Sequence, residues 1–226
     1  LLASRFPIAS ALVTDRKEAE VDPGLPADVP LYVVPQPRID ELVGYNFHQG
    51  VLCSGVRLAA PTLDAVLDAT GPACTLLVCP RVDNPENLGG LIRIGDVFGV
   101  AGILVGGRCP DPLSRRVLRV SMGASLRLPV VASHNLDADW EQLRHRWSVR
   151  FAATVTDRDA EPFDALPRPD RLALVLGSES AGLDPAWVAR CDHRITIPMR
   201  PGADSLNLAV AAGILLYHLA GPPAGS

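Results

Sequence analysis

Polar and glycine residues gather in three segments where apolar stretches give way to turns, the place at which α/β proteins bind ligands beyond the carboxyl ends of their strands. The first is Asn84 to Arg93, NPENLGGLIR, which runs on as IGDVFGVAGILVGG to Gly107. Gly89 and Gly90 could let a backbone approach a ligand, but their spacing is not the G-x-G-x-x-G of a dinucleotide site. Arg93 and Asp96 fall off the apolar stripe of the helix read here, so a surface ion pair three residues apart would account for both. The second segment is Leu172 to Leu183, LALVLGSESAGL. A buried strand ending in Gly177-Ser178-Glu179, with Gly182 beyond it, makes a tight loop that exposes backbone amides and one carboxylate. A capped helix start before Asp184-Pro185 would explain part of that loop. It is not a G-x-S-x-G nucleophile elbow, because position 179 is Glu. The third segment is Ile195 to Asn207, ITIPMRPGADSLN, leading into an apolar helix. Ser205 is read as the cap of that helix. Asn207 is read as a polar group in its first turn, one that must cap a backbone group or meet a ligand.

Between the first two segments, RCPDPLSRRVLRVSMGASLR carries Arg108, Arg115, Arg116, Arg119 and Arg127 against Asp111, a local net of +4 (5 − 1). On a helix Arg115 and Arg119 are four apart and Arg116 adjoins them, so the three share a face. A solvated face would look the same. Arginines concentrated beside a glycine-rich loop point to phosphate contacts. Aromatic residues make up 5% and do not interleave with this patch, which disfavours a base-stacking platform.

Composition removes several chemistries. Lys17 is the only lysine, so all the rest of the 21 Lys+Arg residues are arginine. A Walker phosphate loop, a kinase nucleotide site, a pyridoxal phosphate Schiff base and a lysine-nucleophile aldolase each need a lysine in the catalytic domain, and Lys17 lies in a charged stretch near the start. A net charge of −4 and a pI near 5.7 argue against indiscriminate binding to nucleic acid. The five cysteines, Cys53, Cys74, Cys79, Cys109 and Cys191, contain no C-x-x-C pair, so neither a zinc site nor a disulfide framework is indicated and no metal is expected. Reduced thiols fit a cytoplasmic protein. No apolar run approaches the ~18 to 20 residues needed to span a bilayer. The chain starts without methionine, as a fragment or processed form would.

The elements that must position these segments follow from periodicity. At 226 residues with 48% hydrophobic content, the chain can bury a sizeable core. Residues 1–58 read as a small α/β appendage, with apolar pieces Ile8 to Val13 and Leu31 to Val34 between the turn signals Asp22-Pro23-Gly24 and Pro35-Gln36-Pro37. Residues 59–222 read as an α/β domain. Strands are expected at Thr75 to Cys79, Ile103 to Val105, Val149 to Val155, Leu172 to Leu176 and Arg194 to Ile197. Helices are expected at Asn87 to Gly99, with Leu88, Leu91, Ile92, Gly95 and Phe98 on one stripe, at Leu113 to Ser121 and at Leu136 to Trp147. The last helix, Ser205 to Leu219, has Leu206, Leu208, Val210, Ile214, Leu215, Leu216 and Leu219 all round its axis, so burial on two sides is expected, by the domain core and by a partner subunit. The GPPAGS tail is expected to be disordered.

Taken in order, NPENLGGLIR, LVLGSESAGL and IPMRPGADSLNLAVAAGILLYHL resemble the three signature motifs of the SPOUT superfamily, in its SpoU/TrmH branch of RNA ribose 2′-O-methyltransferases. The intervening DPLSRRVLRVSMGA is similar too, and the resemblance spans Leu76 to Leu219. Residues 1–58 resemble a shortened form of the small RNA-substrate-binding domain that many members carry. The resemblance implies a parallel-sheet domain closed by a C-terminal trefoil knot, a homodimer, RNA as substrate and S-adenosylmethionine as cofactor. It implies cofactor contacts at Leu176, Gly177, Ile197, Met199 and Leu206 and a functional polar set of Asn87, Arg93, Glu179, Ser205 and Asn207; the arginine cluster Arg108, Arg115, Arg116 and Arg119 is expected, on its charge, to contact RNA phosphates. Two positions depart from the pattern: Ser180 stands where glycine often follows the motif glutamate, and Ile94 where threonine is common.

The chemistry implied is transfer of a sulfonium methyl to a poor nucleophile, a ribose hydroxyl, so in-line placement should supply much of the rate. A guanidinium stays protonated in proteins, which leaves Arg93 to grip phosphate or ribose and stabilise the developing oxyanion rather than act as base. Asn87, Ser205 and Asn207 would orient the hydroxyl, and Glu179 would shape its loop or hold Asn87 and Arg93. The rivals are an RNA-binding homodimer without catalysis, a knotted transferase acting on a base nitrogen or a small molecule, and an ordinary doubly wound metabolic enzyme. The last leaves the arginine cluster unexplained. Ribosomal RNA is favoured over tRNA on the front-end resemblance.

Overall fold

The computed structural model describes residues 4–202 and 205–220, which divide between Ala59 and Ala60 into two compact units. The GPPAGS tail lies outside the described residues. The smaller unit runs β1 (Ile8–Thr14), α1 (Glu18–Val21), β2 (Leu31–Val34), α2 (Gln36–Val43) and β3 (Val51–Gly55), with sheet order β2-β1-β3. Strand β1 pairs parallel with β2 and antiparallel with β3. Ala11, Val13 and Ile39 are its buried centre. Gly44 ends α2 in the left-handed region, φ 76°, where glycine is the low-cost residue.

The larger unit runs α3 (Leu63–Asp68), β4 (Cys74–Cys79), α4 (Pro85–Val97), β5 (Gly102–Val105), α5 (Arg115–Val120), β6 (Val130–Ala132), α6 (Leu136–His145), β7 (Arg150–Thr154), β8 (Glu161–Pro162), β9 (Arg171–Val175), α7 (Pro185–Val188), β10 (His193–Thr196) and α8 (Leu208–Ala220). Its sheet has the order β6-β5-β4-β9-β7-β10-β8, every neighbouring pair parallel. The expected α/β architecture and each strand expected in this unit are found, with ends moved by a residue or two. Two further strands, β6 and β8, are too short to show a period.

A parallel sheet covered on both faces needs strands that are apolar on both faces. In β4, Leu77 and Cys79 face the core shared with Leu88, Leu91 and Ile92 of α4 and Leu215, Leu216 and Leu219 of α8, while Leu76 and Val78 face the core shared with Leu63 and Val66 of α3 and Trp140 and Leu143 of α6. Strand β9 alternates likewise, Leu172 and Leu174 to the first core and Ala173 and Val175 to the second. Trp140 stacks on Phe151 at 3.9 Å between ring centroids.

Helix α4 is set by Asn84, whose side chain accepts from the Glu86 N–H, with Pro85 at its first position. Its glycines serve packing rather than a ligand. A Cβ on Gly89 would fall 2.8 Å from the Cβ of Val120, and one on Gly90 would fall 2.8 Å from the Cβ of Ala209, so the two glycines let α4 approach α5 and α8. Helix α8 begins three residues later than expected. Ala212, Leu215, Leu216 and Leu219 are buried on one side, while Val210 (50% exposed), Ile214 and Tyr217 (72% exposed) stand open on the other. Among the described residues no helix is long and apolar enough to cross a membrane.

Candidate functional site

Because the strands are parallel, β4, β9, β7 and β10 all end at one edge of the sheet, the edge at which such sheets bind ligands. A cavity of about 970 Å³ lies beyond the ends of β9, β7 and β10. Its walls come from three strand ends: Thr154 to Arg158 after β7, Leu176 to Glu179 and Ala181 to Leu183 after β9, and Ile197, Met199 and Ser205 to Leu208 after β10. Asn87 of α4 adds a polar group from the β4 side.

The turn after β9 is closed on itself. Ser178 and Gly182 exchange backbone hydrogen bonds of 2.9 and 2.8 Å, and Gly182 takes φ 69°. A Cβ on Gly177 would lie 2.2 Å from the backbone of Gly182 and Leu183, so no other residue fits there. This turn presents Glu179 outward. One carboxylate oxygen accepts from Asn87 Nδ2 at 2.5 Å and the other from the Asp83 N–H at 3.2 Å.

Asn207, not Ser205, caps α8. Its Oδ1 accepts from the N–H groups of Ala209 and Val210 at 3.0 and 3.3 Å. The reason lies in the helix start at Leu208, which puts Asn207 at the capping position and leaves Ser205 two residues outside, on the cavity wall. Asn207 is exposed rather than buried. Its Nδ2 donates to Asn87 Oδ1 at 2.8 Å. The polarity of the whole chain of bonds is thereby fixed. Helix N–H groups can only donate, so Asn207 must turn its oxygen to them and its NH₂ to Asn87. Asn87 must then turn its own NH₂ to Glu179, whose carboxylate only accepts. Amide orientations that are ordinarily assigned by choice are here dictated from both ends.

Of the expected polar set, Asn87, Glu179, Ser205 and Asn207 line the cavity; Arg93 does not. Six residues along α4 correspond to ~9 Å of rise and about 120° of rotation from Asn87. Arg93 is exposed and makes no hydrogen bond or ion pair among the described residues. Glu179 therefore holds Asn87 and not Arg93. The expected Arg93–Asp96 pair is absent among the described residues, and Asp96 binds Arg127 instead at 2.5 Å. Leu176, Gly177, Ile197, Met199 and Leu206 all line the cavity. The stretch Thr154 to Arg158 lines it as well and is missed by sequence reasoning, because a strand end with no glycine signature carries no mark of a site.

The arginine patch is partly neutralised. Arg116 pairs with Glu86 and Arg127 with Asp96, while Arg108 and Arg119 are exposed and make no ion pair among the described residues. Burial pushes the thiols of Cys79 and Cys109 up, which keeps them protonated and unreactive near neutral pH. Arg81, and then Ser180, hold the Asp83 carboxyl below the ordinary carboxylate value. No cluster of metal-ligating side chains occurs among the described residues.

Comparison with known proteins agrees with the motifs. The model of the SpoU rRNA Methylase family matches residues 75–217. The chain belongs to this family. An uncharacterized tRNA/rRNA methyltransferase of Mycobacterium tuberculosis is 32% identical over 221 residues, 96% of this chain and 76% of the relative. The 23S rRNA (guanosine-2′-O-)-methyltransferase RlmB of Nitrosomonas europaea is 33% identical over 191 residues, 83% of this chain and 72% of the relative. The solved SpoU methyltransferase AviRb of Streptomyces viridochromogenes, in complex with AdoMet, shares the fold with a TM-score of 0.79, 24% identity and coverage of 96% and 83% of the two chains. This SpoU-family chain is an RNA methyltransferase, and the cofactor of the family is S-adenosylmethionine, which is bound in the solved rRNA methyltransferase of Sinorhizobium meliloti (25% identity, TM-score 0.77, coverage of 95% and 80% of the two chains).

The cavity fits that cofactor. Leu176, Ile195, Ile197, Leu206 and Leu215 supply apolar walls and Asn87, Ser178, Glu179, Ser205 and Asn207 supply polar groups, the composition of a pocket that holds an adenosine and orients a charged tail.

Proposed function

We propose that this SpoU-family enzyme methylates a ribose 2′-hydroxyl in structured RNA, with ribosomal RNA favoured over tRNA. The observation that carries the reading is the polarity-fixed relay Asn207–Asn87–Glu179 on the wall of the cavity. S-adenosylmethionine, when bound, supplies an activated methyl on sulfur. The backbone around Leu176, Gly177, Ile197, Met199 and Leu206 would hold it. Asn87, Asn207 and Ser205 would then orient the ribose hydroxyl, and such positioning is where an uncharged nucleophile gains most. The hydroxyl proton is left to water or a phosphate oxygen, because no described group near the relay is both a strong base and free of partners.

Arg93 has a place in this scheme only through a second copy. It shares the outer face of α4 with Val97 (70% exposed), beside the open face of α8. Four exposed apolar side chains, Val97, Val210, Ile214 and Tyr217, support a homodimer through that face. Such a dimer would carry each Arg93 toward the partner's site, where it would stabilise charge developing on the ribose oxygen. The trefoil knot would form from the segments after β9 and β10, both of which line the cavity. Arg108 and Arg119, with Arg115 and Arg116, would meet phosphates, and residues 1–58 would add substrate contacts.

The test is a nucleoside digest of RNA treated with enzyme and isotopically labelled S-adenosylmethionine. Label in 2′-O-methylated nucleoside is expected; label in a modified base would overturn the ribose assignment.

A further inference from the structure

Glu179 holds Asn87 from an exposed turn, and an exposed hydrogen bond is easily lost to water. What keeps the turn in register with α4 lies one residue on. The last ladder bond between the two neighbouring strands joins the Leu176 N–H to the Val78 carbonyl at 2.9 Å. Beyond it the chains part, one to Asp83 and the other to the 178–182 turn. They are joined again at Asp83, twice. The Asp83 N–H donates to Glu179, and the Ser180 hydroxyl donates to Asp83 Oδ2 at 2.9 Å. Arg81 Nε donates to the other carboxylate oxygen at 2.6 Å, which fixes the rotation of the Asp83 side chain.

One bond between two loops is a pivot, whereas two from consecutive residues to the main chain and side chain of one residue set both distance and angle. Asp83 is followed directly by Asn84, which caps α4, and by Pro85, so the angle set at Asp83 is passed to the helix that bears Asn87. We propose that Ser180 and Asp83 form a latch that positions Glu179 against Asn87, and that Ser180 is therefore a positioning residue for methyl transfer. Ser180 does not line the cavity, and its backbone does not take a left-handed φ, so neither cofactor contact nor turn geometry explains a hydroxyl there. The serine stands where the family pattern often has glycine, which has no side chain with which to reach Asp83.

This rests on the reading that Asn87 orients the accepting hydroxyl. The test compares Ser180→Ala, Ser180→Thr and Asp83→Ala in the full chain by kcat and KM for methyl transfer, calorimetric binding of S-adenosylmethionine, and hydrogen exchange at the Asp83 amide. Ser180→Ala is expected to lower kcat about threefold to tenfold, the range set by one net hydrogen bond. Cofactor affinity should stay within about twofold, and Asp83 amide exchange should rise by a similar factor to the loss in kcat. Ser180→Thr should restore kcat and slow exchange. Asp83→Ala should match Ser180→Ala, and the double variant should be no worse than either. Wild-type kcat and exchange in Ser180→Ala would overturn the latch. If the wild-type enzyme transfers no methyl to RNA, the functional reading fails, and the exchange comparison still decides the latch.

Discussion

The relay from α8 to Glu179 can be broken without disturbing the helix that starts it. In Asn207→Asp, the carboxylate still accepts from Ala209 and Val210, and a negative charge at a helix N-terminus adds about 0.3–1 kcal/mol of favourable dipole interaction. What is lost is the NH₂ that meets Asn87 Oδ1 at 2.8 Å. Asn87 then faces a choice with no good answer. Left as it is, its oxygen opposes a carboxylate; turned over, its oxygen opposes Glu179 at the present 2.5 Å contact. Loss of a hydrogen bond to a charged group costs about 1.5–3 kcal/mol, and exposure puts this site at the low end. A displacement of that size in the transition state corresponds to about a tenfold fall in rate. Single-turnover methyl transfer at saturating cofactor should therefore fall about tenfold while Tm holds or rises slightly. Glu179→Gln fails from the other end, since one of its two donors, Asn87 Nδ2 or the Asp83 N–H, must meet an NH₂. Combining the two substitutions reverses the relay. The introduced glutamine can donate its NH₂ to Asn87 Oδ1, Asn87 can donate its own NH₂ to the introduced aspartate, and every group is paired again. The double variant should be faster than either single variant, a coupling that additive damage does not produce. Activity within twofold of wild type in Asn207→Asp, or a double variant slower than both singles, would refute the relay.

Three further outcomes are expected. Arg93→Ala should lower methyl transfer at saturating cofactor at least about tenfold, ~1.4 kcal/mol of barrier, with Tm unchanged because Arg93 has no partner to lose among the described residues; a smaller fall removes it from the reaction. Arg119→Ala should weaken RNA binding and reduce the slope of log K against log[salt] by roughly 0.7–0.9, one phosphate contact, whereas Arg127→Ala, already paired with Asp96, should leave the slope unchanged. Asp192→Ala should destabilise the fold by ~2–3 kcal/mol at neutral pH, because Arg144, Arg150 and the Phe151 N–H all lose their acceptor. Burial alone would raise the Asp192 carboxyl, but those donors outweigh it and hold it below its ordinary value. The stability it confers is thus present above the unfolded value of about 3.9 and is lost as pH falls through the lower folded one. Thermal melts should accordingly show the gap between variant and wild type closing only below about pH 4.

The fold is legible wherever a strand is apolar on both faces. Strands β4 and β9 are continuous runs, CTLLVC and RLALV, and their shortness between turn signals separates them from buried helix segments. Strands β6 and β8 escape because three and two residues are too few for any period. The start of α8 is ambiguous in sequence because Ser205 and Asn207 are both good caps, and only the position of Leu208 in the packed helix chooses between them. The pairing of Asp96 differs from expectation for a related reason. Sequence spacing offers Arg93 three residues away, but the approach of α5 and the short helical turn after it, permitted by Gly89, brings Arg127 within reach.

The residues of the site divide along the same line. Those read from motifs and found on the cavity wall, Asn87, Glu179, Ser205 and Asn207, sit at strand-to-helix transitions, where backbone geometry is fixed locally and the motif carries that geometry with it. Arg93 is set instead by helical phase: counted from Asn87, it must leave the cavity, whatever its chemistry. An arginine with no partner among the described residues, on an open face next to apolar side chains that no part of the described chain covers, is costly to understand within one subunit and simple to understand within two. In the proposed dimer the same helix α4 would serve both subunits, its first turn facing its own cavity through Asn87 and its outer face offering Arg93 to a neighbour. Coupling of that kind would make assembly a condition of activity, because the charge that the reaction develops would be met only across the proposed interface.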